Sequence, residues 1–293
     1  LGFGIFYMIV NIGGFIGPWA ASKMRDLNWQ YVFVMCSAVI GINLILLLFY
    51  REPAREKRTG TIKDALKEIS TNTITIFKDL KFVTFLLIIV GFWTMYMPLF
   101  FTVPLYIAQW VNTSVIYNAL GFLQPVFGYV EDGKGIIRPE MMINIPALTI
   151  ILFQLVVSSF LKNVKPVSSM VGGIFVAAVG MGQLFFHLNG WYVAMSLMIF
   201  AFGEMASSPR IQEYISTIAP KEKVALYMGY SFLPIAGGNI LGGLLSGKLY
   251  GSMADKYNLL RQYLTDNKIS LSINIPSADD ARLFSTSAQK LNL

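Results

Sequence analysis

Apolar runs separated by short polar stretches repeat along the chain. Seven of them are each near the roughly 20 residues that cross a bilayer core: 2–21, 31–50, 83–110, 141–161, 168–188, 191–209 and 224–247. None alternates with the period of a strand, and backbone in lipid must satisfy its own hydrogen bonds, so the runs predict helices rather than a barrel. The expected fold class is an all-α membrane protein. The third run carries Pro98 and Pro104 and should bend; its Tyr96 and Tyr106 either line a cavity or join an interfacial belt. The seventh carries Pro234 and a central Gly237-Gly238-Asn239 cluster, the pattern of a broken or kinked helix.

One stretch interrupts this alternation. Between Arg51 and Lys81 the chain turns charged, yet Ile62, Ala65, Leu66 and Ile69 recur at helical spacing among Lys63, Asp64, Lys67 and Glu68. That pattern predicts a helix lying on the cytoplasmic membrane surface, with two spans before it and five after. The polar stretch from Ser252 to Leu293 shows only a short helical pattern in Tyr257, Leu260, Tyr263 and Leu264.

Composition agrees with the pattern: 55% of residues are hydrophobic and 13% charged, where soluble domains carry about 25% charge. The net charge of +7 would suggest nucleic acid in a soluble protein, but here the position of the charges explains it. All 23 Lys and Arg lie outside the spans, and 13 of them fall on the side of the charged linker, which is therefore cytoplasmic. Residue 1 then lies inside and the polar tail outside, in a multi-pass protein of the plasma (inner) membrane. The first residues already belong to an apolar span, with no initiator Met or leader, so the chain reads as a piece of a longer protein. A single cysteine, Cys36, and a single histidine, His187, leave no disulfide framework and no metal site, and no cofactor is expected. No phosphate-binding loop, dinucleotide fingerprint or catalytic motif occurs, so nothing supports an enzyme. The expected partners are the bilayer, a small solute and protons, not nucleic acid.

The candidate chemistry centres on Glu204, well inside the run 191–209. An ionisable group at that depth is costly, by an amount that starts at roughly 2.5 kcal/mol, and usually faces a partner or a water-filled cavity. The alternative is a glutamate that is simply protonated or bonded to a neighbouring helix. Asn11, in mid-span, should seek a partner across a helix interface.

Several motifs then point to a family. Phe3, Phe6, Tyr7, Met8, Val10, Asn11, Ile12, Gly13, Gly14 and Phe15 resemble the fifth-helix signature of the proton-coupled oligopeptide transporters, a branch of the major facilitator superfamily. Gly203, Glu204, Ser208 and Pro209 resemble that family's tenth-helix motif, and Ala219-Pro220, Met228-Gly229, Phe232-Leu233 and Gly238-Asn239 the loop and helix that follow. The resemblance implies a partial major facilitator bundle corresponding to helices five to eleven. Residues 1–50 would end one half-bundle, 51–82 would be the linker with its surface helix, 83–250 would begin the second half-bundle, and 251–293 would be a polar outer segment.

It further implies proton-coupled symport of di- or oligopeptides by alternating access. Glu204 would hold the peptide amino terminus and Ser208 would support it. Asn144 would contact the peptide backbone, with Asn11 and Asn239 completing the substrate-binding set. The third span lacks the acidic residue that the family's seventh helix often supplies, Ser231 stands where a tryptophan is common, and Ile211 replaces a glycine. Those departures leave open a carrier of another solute, such as a drug or organic ion, and a non-transporting receptor or scaffold of the same fold.

Overall fold

The computed structural model describes residues 2–51 and 61–267. The chain divides into two compact units, Leu1–Gly243 and Leu244–Leu293. The first contains α1 (Gly2–Leu27), α2 (Trp29–Leu48), α3 (Ile62–Lys78), α4 (Leu80–Tyr96), α5 (Val103–Trp110), α6 (Ile145–Leu161), α7 (Pro166–Gln183), α8 (Gly190–Ile218) and α9 (Val224–Tyr230). It also contains α10 (Leu233–Leu245) up to the unit boundary. Six helical stretches among the described residues are long and apolar enough to cross a membrane. The sixth expected span, α8, is long enough at 29 residues but falls outside that set. Glu204, Ser207, Ser208 and Arg210 dilute its apolar character.

α8 is nevertheless the most enclosed helix. Its buried residues, among them Val193, Leu197, Phe200, Gly203, Glu204, Ser207 and Ile211, cover most of its circumference and leave one exposed stripe at Trp191, Met195, Met198 and Phe202. It also runs through Pro209 to Ile218, where the apolar run had suggested an end at Pro209. Against it lies α7, drawn close by small residues on both sides. A Cβ built on Gly203 would come within 2.2 Å of the Ala177 nitrogen and 2.5 Å of the Gly173 oxygen, so only glycine fits there.

α1 lies along α6. Near its start, Gly4 abuts Ser158; further on, the Asn144 side-chain amide donates to the Phe15 carbonyl at 2.8 Å. At its far end Arg138 donates to Ser22 Oγ at 2.6 Å and pairs with Asp26, Arg25 pairs with Glu140, and Lys23 Nζ donates to the Pro125 carbonyl at 2.6 Å. α2 packs on α1 and buries none of its residues, which leaves its apolar surface uncovered by the described chain.

The third run bends as expected, with α4, a turn of helix at Pro98–Phe101 and α5 in place of one straight span. The seventh breaks at Ser231 and Phe232, between α9 and α10, and not at the glycine cluster. The cause is Pro234: it has no N–H for the Tyr230 carbonyl and its ring crowds that turn. The all-α expectation holds apart from a small hairpin in the segment between α5 and α6. There β1 (Gly128–Glu131) pairs antiparallel with β2 (Lys134–Ile137) around Asp132 and Gly133, whose φ angles of 49° and 75° suit a tight two-residue turn. Glu131 and Asp132 belong to that hairpin.

The linker helix forms as α3, closed at its start by a reciprocal cap: Thr61 N donates to Asp64 Oδ2 at 2.8 Å, and Asp64 N donates to Thr61 Oγ1 at 3.4 Å. Leu66 and Ile69 are exposed, but the far end docks on the protein. Ile76 is fully buried with Phe82, Ile211, Ile215 and Tyr227, and Thr73 shares a hydrogen bond with the Tyr230 hydroxyl. Residues 52–60 of the linker lie outside the described residues. In the second unit a helix, α11 (Lys256–Asp266), follows the expected Tyr257, Leu260, Tyr263, Leu264 pattern, and Asp255 Oδ1 caps it by accepting from Asn258 N at 2.9 Å. The rest of the polar tail, 268–293, lies outside the described residues.

Two outcomes test this packing. Gly203→Val should destabilise the bundle by about 2–3 kcal/mol through overpacking against α7 backbone, read as a lowered unfolding temperature in detergent; an unchanged value would contradict the α7–α8 contact. Thr61→Ala should cost the start of α3 about 1 kcal/mol, seen as faster hydrogen exchange there. The Thr61 bonds hold the Asp64 carboxyl below the usual carboxylate range, so this contribution is complete above roughly pH 4. It should disappear only as pH falls through that lowered value.

Candidate binding site at a buried carboxylate

The site is assembled from three helices. Glu204 sits halfway along α8 with 2% of its surface exposed. α1 delivers Tyr7, half-buried against the cluster of Ile150, Ala201 and Met205. α4 delivers Tyr96 at its last residue, because Pro98 and the bend follow directly. Rings of Trp93, Phe100 and Phe200, with centroids 4.9, 5.7 and 5.4 Å away, fix the direction of the Tyr96 hydroxyl.

Both hydroxyls donate to the same carboxylate oxygen. Tyr96 OH reaches Glu204 Oε1 at 2.9 Å, and Tyr7 OH bonds the same atom. The other oxygen, Oε2, is buried and has no hydrogen-bond partner. No Lys, Arg or His among the described residues pairs with Glu204. The site is therefore one acidic group, held by two neutral donors, with one acceptor oxygen open. It can take up a proton, or a cationic group of a ligand.

The sequence candidates divide around this centre. Ser208, one turn along the same face of α8, is 7% exposed, and its hydroxyl is buried beside the Tyr7 hydroxyl. Asn11 lies one turn from Tyr7 but donates to the Tyr7 carbonyl of its own helix at 2.9 Å, so the expected cross-helix bond is absent. Asn144 is buried on Phe15, two turns or roughly 12 Å along α1 from Tyr7, a separate contact. Asn239 is exposed and donates to the Ile235 carbonyl of its own helix, away from Glu204.

The tyrosine hydroxyls were the part missed as site residues. Tyr7 was visible as a motif residue and Tyr96 as a possible cavity tyrosine, but nothing in the spacing paired them with Glu204. Tyr106 is internal too, donating to the His187 carbonyl at 3.3 Å. One turn before Tyr7, a cavity of about 100 Å³ is lined by Phe3, Gly4, Ser158, Met205, Pro209 and Arg210.

Residues 1–139 match the profile of the Major Facilitator Superfamily. The match takes in Tyr7 and Tyr96 and stops before Glu204; together with the apolar helices it supports an integral membrane protein.

A curated relative, the Na(+), Li(+), K(+)/H(+) antiporter of Planococcus maritimus, is 26% identical over 243 residues, 79% of this chain and 55% of the relative. The chain thus spans about half the length of that relative. Among solved structures it is similar to a POT family transporter in complex with 5-aminolevulinic acid, at 19% identity and a TM-score of 0.47. It is similar as well to a POT family transporter in complex with a thioalcohol conjugated peptide, at 19% identity and a TM-score of 0.48. Each likeness covers 92% of this chain and 69% of the other.

Tyr96→Phe should remove a hydrogen bond to a charged group, about 1.5–3 kcal/mol, and lower the unfolding temperature in detergent. In a Glu204→Gln background the same change should cost much less. Equal losses in both backgrounds would contradict the Tyr96–Glu204 bond.

Proposed function

We propose that the chain is part of a secondary active transporter that works by alternating access and couples to protons at Glu204, with a di- or oligopeptide as substrate. The observation that carries this reading is the buried Glu204 carboxylate, with one oxygen held by Tyr7 and Tyr96 and the other open. An ammonium group entering the bundle would be favoured by that charge, and a proton would compete for the same oxygen. The resemblance of residues 3–15 and 203–209 to the oligopeptide transporter motifs supports the peptide assignment.

In this reading Glu204 takes the amino terminus and Ser208 supports it. Residues 1–50 end one half-bundle, 51–82 link the halves and 83–250 begin the second, with the linker on the cytoplasmic side of the plasma (inner) membrane. A second reading is exchange of a small cation for protons. The curated relative's printed activity favours it, as does α4, which has no acidic residue beside Tyr96.

In proteoliposomes, an inward proton gradient should drive uptake of a labelled dipeptide, and Glu204→Gln should abolish the gradient-driven part. Uptake of the dipeptide that is indifferent to Glu204→Gln would overturn the assignment. Proton flux driven by Na+ or K+ and not by dipeptide would move the function to cation exchange.

A further inference from the structure

Substrate coupling needs only the carboxylate of Glu204, yet the turn of α8 that carries it holds more oxygen than that. Glu204 Oε2 is buried without a hydrogen-bond partner, and Ser208 Oγ, one turn on along the same face, is buried beside the Tyr7 hydroxyl. Between them in sequence, the Met205 carbonyl has lost its helical donor, because Pro209 inside α8 has no N–H. The tyrosines sharpen this arrangement. By donating to Oε1 they occupy one side of the carboxylate and leave Oε2 as the open ligand.

The chemistry of this set is narrow. All its atoms are hard oxygens, which suit alkali and alkaline-earth ions and not the softer metals that prefer nitrogen or sulfur. Its formal charge is one, from Glu204, and no group of three His, Cys, Asp or Glu suited to a metal ion exists among the described residues. A divalent ion takes six to eight oxygens, or demands several carboxylates or waters, and would remain undercompensated here.

We propose that Glu204 and Ser208, with the Met205 carbonyl, form a binding site for a monovalent alkali cation that excludes a proton from the same carboxylate. The inference rests on the reading of Glu204 as the coupling group. Other groups facing it do not complicate the competition. α1 contributes Tyr7 and α4 contributes Tyr96, while α6 and α7 carry no titratable residue within their helices. From α9, Tyr227 is engaged with Asp79 and Tyr230 with Thr73. On α8 itself Arg210 pairs with Glu213 and bonds the Leu161 carbonyl, two turns away from Glu204.

The test is binding of radioactive Na+ to the purified protein in detergent, with choline chloride holding ionic strength constant. Saturable binding is expected at pH 8, with an apparent Kd that rises about tenfold per pH unit once protons occupy the site. Glu204→Gln should abolish binding, Glu204→Asp should retain weakened binding, and Ser208→Ala should weaken it about tenfold. Each variant is checked for a monodisperse, wild-type elution profile, and binding that persists in a folded Glu204→Gln protein overturns the proposal. So does absence of Na+ binding at pH 8 in protein that still takes up dipeptide under a proton gradient, a result that leaves the coupling reading intact. If Na+ binds as described while dipeptide is not transported, the peptide reading fails and the cation site stands.

Discussion

An acidic group inside a bundle with no basic partner among the described residues is the constraint around which this chain is built. Removing a carboxylate from water costs several kcal/mol even after relaxation. Two hydroxyl donors, each contributing about 1.5–3 kcal/mol to a charged acceptor, offset part of that and leave one oxygen open. Much of the surrounding architecture serves to bring the two donors to the same atom. Pro98 ends α4 so that Tyr96 is its last residue, the rings of Trp93, Phe100 and Phe200 aim its hydroxyl, and the glycine contact with α7 holds α8 in place.

The two tyrosines come from opposite sides of the charged linker in sequence, Tyr7 from α1 and Tyr96 from α4. Whatever Glu204 holds is therefore felt by both segments at once: a proton or a cation on Oε2 changes the strength of both hydroxyl bonds to Oε1. In the proposed transporter this joins occupancy to the packing of α1 against α8. It does so as a difference in binding free energy between two arrangements, which is what coupling requires. The pairs that Arg25, Asp26, Arg138 and Glu140 make at the far end of α1 hold that helix to the segment before α6 independently of Glu204.

Much of this fold was legible in the sequence because bilayer length and helix period leave few options. The helices, the bend at Pro98, the linker helix and the depth of Glu204 all follow from residue pattern. What could not be read depends on contacts between distant segments. Asn11 looked like a cross-helix amide and Asn239 like a substrate contact, but each reaches the carbonyl four residues back on its own helix, a local bond that competes with any tertiary partner. α8 passes through Pro209 because bundle packing outweighs the local cost of the proline. The break in the last run follows Pro234 and not the flexible glycines, which instead let α10 approach Trp93 and Met97 of the α4 segment. Tyr96 could not be paired with Glu204 from spacing, since 108 residues separate them.

The most direct measurement of the central claim is a difference infrared spectrum of the protein on acidification, recorded for wild type and Glu204→Gln. The account predicts a protonated-carboxyl band of a group shielded from water in wild type, absent from the variant and diminished when Na+ or dipeptide is added at fixed pH. The same band in both proteins, or a wild-type band indifferent to either addition, would contradict it.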